Sequence, residues 1–563
     1  MEEQRISQYE CAQDDMHILL KYSDVFNGPV PDLGLEIPRL NMHKAISVVT
    51  ELIRIINKDM LATKIFNTEI WLPAETFVKV RFLGIKLDNR TNIRDFPILK
   101  KDCHIISLQA LLLLLKRIIA HGNYDTMQKT DYCITDTDFT FIIQLQLALV
   151  EDIYKKDENE FDAGHFIYGN YHLNNRANVA NRFLRMNFML EYLCRDRTKF
   201  AKDIIGEYRD YYTDFWKKYG ISTTQYSYLL FWELRPYYAD FDGSLTYSSR
   251  WRCIEKIYAG SKNQELLHKA LAPVSSQVSD LKQWAIESEN QLWDFTGFLA
   301  YPFLRDNSEQ YISISEYSLS NGFFGKLFWL IRDCYPREDS RAMAFYGRLY
   351  EKYIQTITEK ATSGKYKLIG EFEIPLKSRG NPKSSDVYLQ SGTLLLAVEA
   401  KGFMDLIDVM SKNENIGKNN RRLFINPILQ ADAFASTAIN EGFAFKEITE
   451  IYVLSVTMEN INANPVYYTE IIDTIEKEKK CNQVKFYFNF NIEEYELLMY
   501  LVETGEDIFA ILKDYFQEKQ LTPFGNYARL HFPDIKMTSF MKKYYDNACK
   551  EMVSFISGNE SDS

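Results

Sequence analysis

Paired cysteines are the first thing this sequence lacks. Its eight cysteines, at positions 11, 103, 133, 194, 253, 334, 481 and 549, are scattered, and no CxxC pair occurs. That scatter argues against a zinc ribbon or a disulfide framework and suits a reducing compartment, so a cytoplasmic location is expected. The phosphate-cradling GxxxxGK pattern is missing as well, which sets aside the P-loop ATPases. Long apolar runs are also missing. The most apolar stretch, Ile105 to Leu115, includes Ser107 and Gln109 and is too short to cross a bilayer, so it reads as a buried core helix. Met1 to Asp15 is polar and acidic instead of an apolar leader, and no membrane partner is expected. There is no repeat with a period of 20 to 50 residues and no low-complexity tract. Positive charge is not in excess either: the net charge of −11 speaks against a protein that coats nucleic acid by charge alone.

The 563 residues that are present are 46% apolar and 25% charged, ordinary for a soluble globular chain of two or three domains. With 37 Tyr and 37 Phe, the cores should be aromatic. Residues 1–335 read as a mainly α-helical region. Ala45 to Asn57, Leu108 to Ala120, Phe141 to Tyr154 and Asn178 to Leu193 space their apolar residues by three and four. The stretch 69–85, "EIWLPAETFVKVRFLGI", is a strand candidate. His165 and His172 lack a third ligand nearby, and Arg117 and His121 stand too close in sequence for a common ribonuclease pairing. All four read as structural or surface residues. The role expected of this region is recognition of a trigger, partner or substrate, or assembly into a homo-oligomer.

The pattern changes after Pro336. Ser340 to Ala361 reads as one long helix, followed by β-type runs at 365–376, 385–390 and 393–401. A helix at 426–440 has Pro427 in its first turn. A strand at 450–458, a helix and a strand at 483–490 complete an α-β-β-β-α-β-α-β order, the signature of a mixed sheet flanked by helices. The fold class expected is α+β overall, with residues 336–495 forming the α/β domain and 496–563 adding C-terminal helices and a frayed tail. Residues 341–440 carry a net charge of +4, which leaves −15 on the other 463. That local excess hints at a surface facing a polyanion.

Inside this region "SSDVYLQSGTLLLAVEAKGF" (384–403) sets charge against apolar strands. Side chains alternate along a strand, so Glu399 and Lys401 share a face, and the turn at "QSG" brings Asp386 beside them. Buried without a purpose, two carboxylates and an ammonium would be costly. Two carboxylates with water and phosphate oxygens are what Mg²⁺ or Mn²⁺ takes, and such an ion can activate water against a phosphodiester. Lys401 beside it would orient that water or steady the developing charge.

The string Asp386-x12-Glu399-x-Lys401, with apolar residues ahead of Glu399, resembles the PD-(D/E)xK nuclease superfamily, also called restriction-endonuclease-like. The resemblance covers about 340–490. "FYGRLYEKYIQTI" resembles the helix that precedes the first strand and presents a Glu to the metal, here Glu351, with Glu371 and Glu373 as competitors. "QADAF" (430–434) resembles the Gln-bearing element of exonuclease-like branches, so Gln430 would hold substrate or water with Phe434 packed behind. Ser385 stands where the name-giving Pro would be.

The resemblance implies a restriction-endonuclease-like domain. Its function would be Mg²⁺- or Mn²⁺-dependent hydrolysis of nucleic acid, DNA first. In that reading Asp386, Glu399 and Glu351 hold metal, Lys401 assists the water and Gln430 orients substrate. Lys377, Arg379 and Lys383, in the loop before Asp386, are candidates to contact nucleic acid. So are Lys412, Lys418, Arg421 and Arg422 in "SKNENIGKNNRR", read as a loop. An RNA endonuclease using the same site and a non-catalytic nucleic-acid scaffold are the alternatives. A large partner domain on such a nuclease resembles bacterial anti-phage or restriction effectors, which would add a defence-system partner protein.

Overall fold

The structure is a computed structural model. It describes residues 18–58, 60–65, 68–84, 103–128, 132–156, 178–200, 206–239, 245–253, 256, 263–362, 364–374, 383–402, 415–458, 465–518 and 522–557. The chain is α+β overall. It divides into two compact units, one of Met1–Ala163 with Leu230–Lys326 and one of Gly164–Leu229 with Leu327–Ser563. Among the described residues no helix is long and apolar enough to cross a membrane. Among the described residues the cysteines form no disulfide.

In the first unit three helices, Met42–Ile56, Leu108–His121 and Asp136–Lys156, form the core. Each of the first two starts where a side chain can cap it: Asn41 accepts the Lys44 N–H and Ser107 accepts the Ala110 N–H. Buried Lys116 donates to the carbonyls of Ser288, Gln291 and Asp294 at 2.9, 3.0 and 2.8 Å, and burial lowers its pKa to about 8. Arg117 and His121 both meet Glu289 and so tie structure, while His165 and His172 lie outside the described residues. The stretch 69–85 is strand only at first: Thr68–Pro73 pairs with Met60–Ile65, and Ala74–Phe82 is helix. Phe77, Val78 and Phe82 are buried on that helix, a spacing that a strand reading missed.

The second unit gathers helix α1 (Val179–Asn187) and helix α2 (Ser340–Ala361) around a five-stranded sheet. The strands are β1 (Lys367–Gly370), β2 (Val387–Ser391) and β3 (Leu394–Lys401), then β4 (Glu450–Thr457) and β5 (Val484–Asn491). In space they run β5-β4-β3-β2-β1. β1, β2 and β3 pair antiparallel, while β3, β4 and β5 pair parallel. Gly392 takes φ +57° in the two-residue β2–β3 turn, a left-handed conformation that favours glycine. Helix α3 (Asn426–Asn440) covers one face, where Ile428, Ala431, Phe434 and Ala435 pack on Leu395, Ala397, Ile451 and Val453.

The boundaries at 335 and 495 are not those of the compact units. Residues 164–229 join the sheet-bearing unit through contacts distant in sequence. Arg185 of α1 bonds Glu496, which Tyr353 of α2 also bonds, and Phe200, Tyr208 and Tyr211 close on Phe345. Helix α4 (Ile492–Glu503) crosses position 495 without a break and buries Tyr495 against Thr358 of α2, their hydroxyls 2.6 Å apart.

Candidate active site

Helix α2 and the charged end of β3 meet beside Gly347 and Gly402. A Cβ on Gly402 would lie 3.4 Å from the Cα of Gly347 and 3.5 Å from Tyr350 Cβ, so helix and strand meet closely there. Glu351 follows one turn after Gly347, and its charge registers at both Asp386 and Glu399. Glu371 and Glu373 stay exposed beyond β1. Of the three glutamates weighed, Glu351 is therefore the one coupled to both strand carboxyls.

The strand pair opens at Asp386. Regular pairing of β2 with β3 ends at Val387 opposite Val398. The Asp386 N–H still donates to the Val398 carbonyl at 3.1 Å, but the next ladder donor, Ala400 N–H, is met by Asp386 Oδ2 at 2.7 Å. The carboxylate replaces a strand carbonyl, as a buried N–H requires. On β3, Leu395, Ala397, Glu399 and Lys401 alternate onto the α3 face. Glu399 is 1% exposed. Its Oε2 accepts from Lys401 Nζ and from Gln430 Nε2, each at 3.1 Å. Its Oε1 has no hydrogen-bond partner among the described residues.

Two buried carboxyls with a third, partly exposed one beside them resist ionisation. Burial pushes Asp386 well above its usual range, with Glu399 and Glu351 adding like-charge repulsion. Burial raises Glu399 to about 7 against the pull of Lys401. Burial also raises Glu351, opposed first by Arg348, whose Nη1 lies 2.9 Å from Glu351 Oε2.

A divalent cation fits part of this arrangement. The unpaired, buried Oε1 of Glu399 and the second oxygen of Asp386 are hard ligands, and Mg²⁺ and Mn²⁺ accept two carboxylates with solvent completing the shell. The structure does not bring Glu351 in as a third: among the described residues no three His, Cys, Asp or Glu side chains form a metal-holding group. Glu351 is instead engaged by Arg348.

Gln430, expected to hold substrate or water, donates instead to Glu399 Oε2, and Phe434 is buried against Phe372. The basic residues divide. Lys377, Arg379 and Lys412 lie outside the described residues. Lys383 and Lys418 are exposed. The segment 416–425 is helix and not loop, continuing into α3 through a widened turn at Arg421–Ile425. Ile416, Leu423, Phe424 and Ile425 are buried there, a signal hidden by the Gly/Asn-rich flank. Arg421 is clamped by both oxygens of Glu478 at 2.9 and 2.7 Å, and Arg422 donates to Asn419 Oδ1.

Sequence reasoning missed Arg348 and Gln355. Gln355, one turn past Glu351 on α2, donates to the Asp386 carbonyl at 3.3 Å. The i, i+4 spacing from Glu351 is the signal that could have found it.

No protein-family model, curated protein or solved structure matches this chain.

Proposed function

We propose that this protein is a Mg²⁺- or Mn²⁺-dependent nuclease that hydrolyses phosphodiester bonds of DNA. The observation that carries the proposal is the notch where Asp386 and Glu399 converge with Lys401 while one buried Glu399 oxygen has no hydrogen-bond partner among the described residues. Asp386 and Glu399 would hold the ion, with Glu351 supporting it once released from Arg348. The bound ion would supply Lewis acidity toward a phosphoryl oxygen and lower the pKa of water. Lys401, its side chain 17% exposed, stands at the rim, where it would steady negative charge gathering on the phosphate. Gln430 fixes the Glu399 carboxylate, and Gln355 fixes the Asp386 backbone. Lys383 and Lys418 would contact phosphates, a form of binding that gives affinity without sequence preference.

The PD-(D/E)xK resemblance gains support from the antiparallel-then-parallel order around β3 and from the helix before it. A cytoplasmic effector of anti-phage or restriction type, with the first unit serving recognition or assembly, is the wider role proposed. The test is incubation of wild type and Lys401→Ala with plasmid DNA and with RNA, each in Mg²⁺, Mn²⁺ and EDTA. DNA cleavage lost in the variant and in EDTA supports the reading. Cleavage of RNA alone transfers it to an RNA endonuclease. Inertness of both proteins, with no uptake of Mn²⁺ by the wild type, overturns it in favour of a binding scaffold.

A further inference from the structure

Ser385 occupies an unusual position for a serine. It is 0% exposed, and its hydroxyl has no hydrogen-bond partner among the described residues. Buried hydroxyls are rarely left that way, since an unpaired polar group costs about 1–3 kcal/mol. Its backbone is held: the Ser385 N–H donates to the Tyr388 hydroxyl at 2.9 Å, and the Tyr388 ring packs 5.2 Å from Phe445. Only rotation about the side chain's single C–C bond, and of the hydroxyl itself, remains free. The other unpaired buried oxygen of this notch is Glu399 Oε1. The Ser385 hydroxyl favours the ionised form of Glu399 and also acts on the neighbouring Tyr388 hydroxyl. Two buried polar atoms are thus left unpaired beside each other's residues, and the hydroxyl can donate where an ionised carboxylate oxygen can only accept.

We propose that Ser385 is a positioning residue of the cation site: its hydroxyl donates to one lone pair of Glu399 Oε1 and turns the other lone pair toward the ion. A carboxylate oxygen has two lone pairs, so ion and hydroxyl do not compete. Glu399 would then be fixed from both sides, by Lys401 and Gln430 at Oε2 and by Ser385 at Oε1. Outer partners of this kind commonly change metal affinity 10- to 100-fold when removed. The proposal rests on the cation reading above.

The test measures Mn²⁺ binding to the EDTA-treated, dialysed full chain at one fixed pH, by calorimetric titration and by the electron paramagnetic resonance of free Mn²⁺. Ser385→Ala removes the hydroxyl, and Ser385→Cys fills the space with a weak donor. Melting temperatures without metal are recorded for both. The expected result is a Kd weakened about 10- to 100-fold in both variants, with ion-free melting temperatures near wild type. Wild-type affinity in Ser385→Ala overturns the proposal. So does loss in Ala with recovery in Cys, which would assign the effect to volume. If Ser385→Ala fails to fold, Ser385→Cys alone decides by the same criterion. Absence of Mn²⁺ uptake by the wild type removes the cation reading itself, and the proposal with it.

Discussion

Asp386 Oδ2 accepts the backbone N–H of Ala400 at 2.7 Å, so a carboxylate of the site also closes the strand pair that carries it. Fold and site share one hydrogen bond, and substitutions at Asp386 separate the two roles. Asp386→Asn keeps an oxygen acceptor and should stay within about 1 kcal/mol of wild type. Asp386→Ala leaves the Ala400 N–H unpaired and should lose about 1–3 kcal/mol. Denaturant unfolding measures the difference, and both variants should lose cleavage by at least about 100-fold.

The pH dependence has a fixed sign. Burial lifts Glu399 from its ordinary 4.5 to about 7 and Asp386 upward as well, so the folded chain binds these protons more tightly than the unfolded one. The Glu399 contribution to ion-free stability is full below pH 4.5 and is lost as pH rises through about 7. A cation competes with the same protons, so its uptake strengthens over that rise. Melting temperatures in EDTA and in Mg²⁺ should diverge from pH 6 to pH 8. A constant gap would contradict the coupling.

Arg348 and Glu351 form a partly exposed i, i+3 pair on α2. Such pairs contribute about 0–1 kcal/mol, so Arg348→Ala should fold nearly as stably as wild type. It also frees Glu351. Mn²⁺ titration should show tighter binding in Arg348→Ala and weaker binding in Glu351→Gln. Identical affinity in both variants would remove Glu351 from the site.

The two exposed lysines and Arg421 should behave differently toward polyanions. Lys383→Ala and Lys418→Ala should each lower DNA affinity and reduce the slope of log K against log salt by about 1. Arg421 is already held by Glu478, so Arg421→Ala should leave that slope nearly unchanged. Fluorescence anisotropy across a salt series, in Ca²⁺ to hold back cleavage, provides the measurement.

Much of the sheet was legible because its strands are short, apolar and bounded by turns. Alternation along Leu395, Ala397, Glu399 and Lys401 places the charged pair on one face, and the register at Val387 and Val398 puts Asp386 opposite. The Pro427 helix was readable for the same local reasons, and Gln430 through the resemblance carried by "QADAF". Other features depend on contacts that no local pattern encodes. Residues 164–229 join the sheet-bearing unit through Arg185, Phe200 and Tyr211, whose partners lie more than 100 residues away. The helical run through Leu423 and Ile425 was masked by asparagines and a glycine that favour loops. The pairing of Glu351 with Arg348 turns on side-chain rotation, which spacing alone does not determine.

The most direct measurement of the central claim is plasmid cleavage by wild type and Glu399→Gln at pH 8 in Mg²⁺, read beside their melting temperatures in EDTA. Gln keeps the shape of Glu399 and removes a buried charge, so the variant should melt no lower than wild type. The account predicts cleavage by the wild type and a loss of at least about 100-fold in this folded, ion-deprived variant. Equal cleavage by the two proteins would contradict it.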